Sequence, residues 1–154
     1  MKPRTVALTL ALCLVGAALC FAQDALMGTW KLNDAKSKFP AGATKNNTVV
    51  YEAAGDQVKV SVDGTTADGK AVHNEWTGKF DGKDYPVTGD PSSDSRAYTK
   101  VSDHTLSMTV KKDGKTTVTG RIEVSADGKT RKVSTKGTDS KGAKTSTVAV
   151  YDKQ

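Results

Sequence analysis

The apolar residues of this chain recur at every second position, in short runs separated by Asp-Gly pairs. Val58, Val60 and Val62 alternate with Gln57, Lys59 and Ser61, and Leu106, Met108 and Val110 alternate with Thr105, Ser107, Thr109 and Lys111. Val118, Ile122 and Val124 share one face, opposed by Thr117, Thr119, Arg121 and Glu123. A period of two gives a pleated strand one buried and one wet face, and does not build the single apolar stripe of a helix. Composition agrees: from Gln23 onward there are fourteen valines and eighteen threonines, but only three leucines and one isoleucine. β-Branched side chains pack well on a pleated surface and lose rotamer freedom in a helix.

The punctuation is as informative as the runs. Gly55-Asp56, Asp63-Gly64, Asp68-Gly69, Asp81-Gly82, Asp113-Gly114 and Asp127-Gly128 all sit between strand candidates. Asp-Gly suits a type I′ hairpin, in which both central residues take positive φ. The spacing predicts strands over Met27–Leu32, Thr48–Ala53, Gln57–Val62, Ala71–Phe80, Asp84–Val87, Arg96–Val101, Thr105–Lys112, Thr116–Ser125, Thr130–Thr138 and Lys144–Asp152. Only the connection Asn33–Asn47 is long, with room for a short helical turn before Pro40. Hairpin-linked strands in this number leave exposed edges unless the sheet closes. The expected fold is therefore all-β: a single antiparallel up-and-down barrel of about eight to ten strands, rather than a sandwich with long crossings.

The first 22 residues read differently. Lys2 and Arg4 precede an apolar run from Val6 to Phe21, and Cys20-Phe21-Ala22 supplies small residues near a cut. That layout is a secretory signal peptide, too short for a membrane anchor. The expected domain is residues 23–154, secreted or periplasmic, with no transmembrane segment. Cys20 also raises lipid attachment, although Leu19 stands where a small residue is preferred. Both cysteines, Cys13 and Cys20, lie within the signal, so the domain itself carries no disulfide, thiolate metal site or cysteine nucleophile. Without Lys2 and Arg4 the net charge falls from +6 to +4. The lysines are dispersed and alternate with Thr, Ser or Asp, which is a solvated surface and not a nucleic-acid face of clustered arginine and aromatics.

Few residues offer chemistry. His73 and Glu75 share the side of one strand opposite Val72, Trp76 and Phe80, which makes a solvated pair; two ligands on one strand do not complete a metal site. His104 follows Asp103 in a turn. The Asp-Gly turns lack the oxygen density of a calcium loop, and Asn46-Asn47-Thr48 is a glycosylation sequon. No catalytic set, metal or cofactor is expected. The positive lead is a set of aromatics on apolar faces, Tyr51, Trp76, Phe80 and Tyr85, suited to gripping an amphipathic molecule. Valine is small for such a barrel, which favours an under-filled interior. Arg131 shares a face with Val133 and Thr135; if that face is inward, it is the candidate anchor for an anionic head.

The opening Gly28-Thr29-Trp30-Lys31-Leu32 resembles the Gly-x-Trp start of the lipocalin and fatty-acid-binding-protein group, in which the tryptophan plugs one end of the barrel. The longer stretch through Lys36-Ser37-Lys38-Phe39 is similar to small secreted bacterial lipocalin-like proteins of no assigned activity. The resemblance implies a carboxylate-binding Arg-x-Tyr on the last strand. Here that position reads Ala149-Val150-Tyr151, so Tyr151 matches and the arginine is missing. The two-helix lid of the fatty-acid-binding branch is reduced to Asn33–Asn47. The resulting expectation is an exported binding module for a small apolar or amphipathic ligand. The alternative is an interaction or envelope-structural protein with a filled barrel; catalysis is the least supported class.

Overall fold

The computed structural model describes residues 25–138 and 142–154; the segment 1–22 expected to be a signal peptide, with the lipidation candidate Cys20, lies outside them. Ten strands follow one another: β1 Gly28–Leu32, β2 Lys45–Ala54, β3 Gln57–Thr65, β4 Ala71–Gly78, β5 Tyr85–Thr88, β6 Ser95–Ser102, β7 Thr105–Lys112, β8 Lys115–Val124, β9 Thr130–Thr138 and β10 Lys144–Lys153. Each pairs antiparallel with its neighbours in sequence, and β1 pairs with β10, so the sheet closes into an up-and-down barrel. No helix among the described residues is long and apolar enough to cross a membrane.

The period-two pattern does what it predicts. Val60 and Val62 of β3, Leu106 and Val110 of β7, and Ile122 and Val124 of β8 are buried. Trp30 and Leu26 close one end; both are fully buried, and Trp30 Nε1 donates to the Leu26 carbonyl at 2.8 Å. The long connection holds a single 3-10 turn, Asp34–Lys36, and then extends the wall. Lys38 and Val148 exchange backbone hydrogen bonds of 2.6 and 2.9 Å, and Ser37 Oγ accepts from the Val150 amide. It runs as a splint along β10 and then reaches the barrel interior at Thr44.

Three local expectations are corrected. Asp113 is the only non-glycine with positive φ among the described residues, so of the Asp-Gly pairs only Asp113-Gly114 forms a type I′ turn. At Asp68-Gly69 and Asp127-Gly128 the glycine alone is left-handed, and its amide reaches back to Thr66 or Ser125, a type I turn with a following glycine. Asp63-Gly64 is not a turn: it lies within β3, where a Cβ on Gly64 would meet the Lys45 carbonyl at 2.6 Å. Finally, β4 ends at Gly78 and not at Phe80. Beyond it the chain swings across β6, with Asp81 bridging Thr99 and the Phe80 carbonyl accepting from Lys100.

Candidate functional site

A cavity of about 440 Å³ occupies the barrel interior and reaches the rim formed by the β3–β4 turn and the β5–β6 loop. The aliphatic part of its wall is mostly valine, with Met108 and Ile122, because the inward positions of β2, β3, β7 and β8 carry these residues. The small side chains leave the centre unfilled. A volume of this size lies within the range of small-molecule sites.

Arg131 lies in this interior. It is the second residue of β9, at the end opposite the rim, and only 2 % exposed. Its inward direction follows from the alternation Arg131, Val133, Thr135, all three of which line the cavity. The guanidinium carbon stands 4.3 Å from the Tyr151 ring centroid, 5.3 Å from that of Tyr51 and 5.4 Å from that of Trp30. Rings at these distances offset part of the cost of burying a cation. They do not satisfy its N–H groups: Arg131 Nε and Nη1 are buried without hydrogen-bond partners.

The surrounding ionisation leaves the cation uncompensated. Burial pushes the Tyr51 phenol up to about 12, against the opposing charge of Arg131. Burial also raises Tyr151, and the charge and hydrogen bond of Arg131 do not overcome it. Both phenols are therefore neutral at pH 7. Asp90, the only carboxylate among the described residues that line the cavity, is engaged at the rim, where it pairs with Arg96 at 2.6 Å. Burial works to raise its pKa, but hydrogen bonds from Ser92, Ser93 and Arg96 outweigh it and hold the group below its ordinary value.

Of the aromatics singled out in the sequence, Tyr51 and Tyr151 line the cavity beside Arg131. Trp76, Phe80 and Tyr85 do not; they pack on one another beyond it. Phe80 stacks on Trp76 with centroids 6.2 Å apart, while Tyr85 and Tyr98 meet Trp76 edge-on at 5.8 and 4.8 Å. Trp76 Nε1 donates to the Arg96 carbonyl at 3.0 Å. Gly78 permits this packing, since a Cβ there would stand 2.5 Å from Tyr85 Cγ.

Several lining residues escape the sequence reading, among them Tyr98, Arg96 and Asn74. Tyr98 and Arg96 sit on β6, whose run Arg96–Val101 shows no clean alternation to reveal an inward face. Asn74 was signalled by parity, between Val72 and Trp76, but its polarity hid it. It is 8 % exposed, lines the cavity, and its Oδ1 has no hydrogen-bond partner.

The histidine pair lies outside the barrel. His73 is exposed, with Nδ1 2.7 Å from Asp63 and Nε2 3.6 Å from Glu75. No group of three or more His, Cys, Asp or Glu suited to a metal occurs among the described residues. His104 is half-buried and does not line the cavity.

No family model matches the chain, and no curated protein matches it. Solved structures similar to it include EF1p2_mFAP2b bound to DFHBI, with a TM-score of 0.47 and 13 % identity over 84 % of this chain and 94 % of that one. A redesigned β barrel, mFAP1, bound to DFHBI, gives 0.44 and 16 % over 84 % and 95 %.

Proposed function

We propose that the protein is an exported, lipocalin-like binding module that takes a small amphipathic molecule into its barrel, anionic end first, without catalysing a reaction on it. The observation that carries this reading is Arg131: a cation 2 % exposed, deep in a cavity of about 440 Å³, with two N–H groups unpartnered. An unpaired buried charge is costly, and an anion delivered to it recovers charge-assisted hydrogen bonds. The valine wall would take the apolar body of the ligand, with Tyr51 and Tyr151 flanking its head. Export rests on the basic and apolar start of the chain.

Native mass spectrometry of protein purified from its source, before and after organic extraction, tests the reading. The expected result is a stoichiometric mass that disappears on extraction and is absent from Arg131→Met. A bare protein that takes up nothing from a panel of carboxylates, lipids and pigments would sink it.

One observation favours a second reading. Three rings around the guanidinium can make Arg131 a packing element, with the barrel presenting its loops and outer faces to a partner. Such a protein would lose substantial stability on Arg131→Met.

A further inference from the structure

The cavity holds two buried side chains with unmet hydrogen-bonding capacity, and they are opposite in kind. Arg131 offers donors through Nε and Nη1; Asn74 offers an acceptor through Oδ1. In the closed order of ten strands, β4 and β9 are five steps apart in either direction, so the two residues come from opposite walls. They also differ in height. Arg131 is next to the closed-end start of β9, whereas Asn74 is the fourth residue of β4, which begins at the rim. Asn74 lies one inward position nearer the rim than Trp76, on a strand whose other neighbour, the Gly89 backbone, approaches closely: a Cβ on Gly89 would meet the Asn74 Cα at 3.2 Å.

Building on the ligand-binding reading above, we infer that the ligand carries a neutral hydrogen-bond donor, a hydroxyl, at the end remote from its anionic head, and that Asn74 Oδ1 accepts from it. The apolar wall between the two, including Val60, Val62 and Ile122, would face the body of the molecule. A hydroxyl suits the site better than an ammonium because Arg96, Arg131 and Asp90 leave the lining with a net positive charge. The substrate class is thus a carboxylate with a distal hydroxyl. Asn74 would serve as the specificity residue: a site built to bond a hydroxyl discriminates against the analogue that lacks it.

Isothermal titration of the purified protein with octanoate, decanoate and their ω-hydroxy counterparts tests this. The expected result is binding of the ω-hydroxy acids about tenfold tighter than the plain acids, the equivalent of one hydrogen bond. In Asn74→Leu the ratio of the two affinities should fall to about one, whatever happens to the affinity itself. Equal affinity of wild-type protein for both kinds of acid would overturn the role of Asn74 and leave the Arg131 reading intact, with a bound water as the partner of Oδ1. Failure of all four acids to bind would remove both. Comparison of the ligands on wild-type protein needs no variant to fold.

Discussion

Tyr151 faces Arg131 directly across the β9–β10 ladder, and its ring centroid lies 4.3 Å from the guanidinium carbon. The last strand thus supplies a ring and a neutral phenol to a cation on its neighbour. The buried positive charge is thus carried by β9, while Ala149, two residues before Tyr151 on β10, is a buried apolar residue.

Arg131→Met is expected to separate a ligand anchor from a packing element. Removing an unpaired buried cation while keeping apolar bulk should leave the unliganded protein as stable or stabilise it by about 1 kcal/mol. Stabilisation by carboxylates should disappear. Urea unfolding with and without ligand measures both; a loss of more than about 2 kcal/mol without ligand would assign the residue to packing.

Asp90→Asn should loosen the rim. The carboxylate accepts from Ser92, Ser93 and Arg96 and is half-buried, so its loss is expected to cost about 1–2 kcal/mol. Because its folded pKa lies below the unfolded value of 3.8, its contribution is present above that value and is lost as pH falls through the depressed one. Acid unfolding curves should therefore show a smaller loss of stability in the variant than in the wild type.

Gly78→Ala tests the aromatic cluster. The added methyl would stand 2.5 Å from Tyr85 Cγ and 2.7 Å from Trp76 Cζ2. Overpacking of this kind is expected to cost about 1–3 kcal/mol and to change the near-ultraviolet circular dichroism of Trp76. An unchanged spectrum and unfolding midpoint would show that the rings have room to move.

His73 should titrate above its ordinary value of 6.5, because Asp63 bonds its Nδ1. A folded pKa above the unfolded one means that the pair stabilises fully below 6.5 and fades as pH rises through the folded value. Imidazole shifts in an NMR titration read the pKa directly, and His73→Gln should abolish that part of the pH dependence. The group is exposed, so its effect on stability should be small.

Alternation in the chain is a local property, and so the strands were legible. Val58–Val62 and Leu106–Val110 show their faces without reference to anything distant, and β7 and β9 have the predicted bounds. The inward direction of Arg131 follows from the same parity. The Asp-Gly pairs mark the hairpins but not their geometry, because the same dipeptide serves type I′ at Asp113-Gly114 and a type I turn with a left-handed glycine at Asp127-Gly128. At Asp63-Gly64 a close approach by the Lys45 carbonyl, from the paired strand β2, explains the glycine.

Parity says which side chains point inward; it does not say which of them meet one another and which face a void. Trp76 and Tyr51 are both inward aromatics on neighbouring parts of the sheet, yet Trp76 is enclosed by Phe80, Tyr85 and Tyr98, whereas Tyr51 borders the cavity. That difference arises because the segment after Gly78 folds across β6 and fills one end of the barrel, while small valines leave the centre open. Likewise, no local pattern marks Asn74 and Arg131 as opposed, since their relation depends on ten strands closing through the β1–β10 pair. Strand formation is decided by neighbours two residues apart; a cavity is decided by the sum of side-chain volumes from every wall, and only closure brings those walls together.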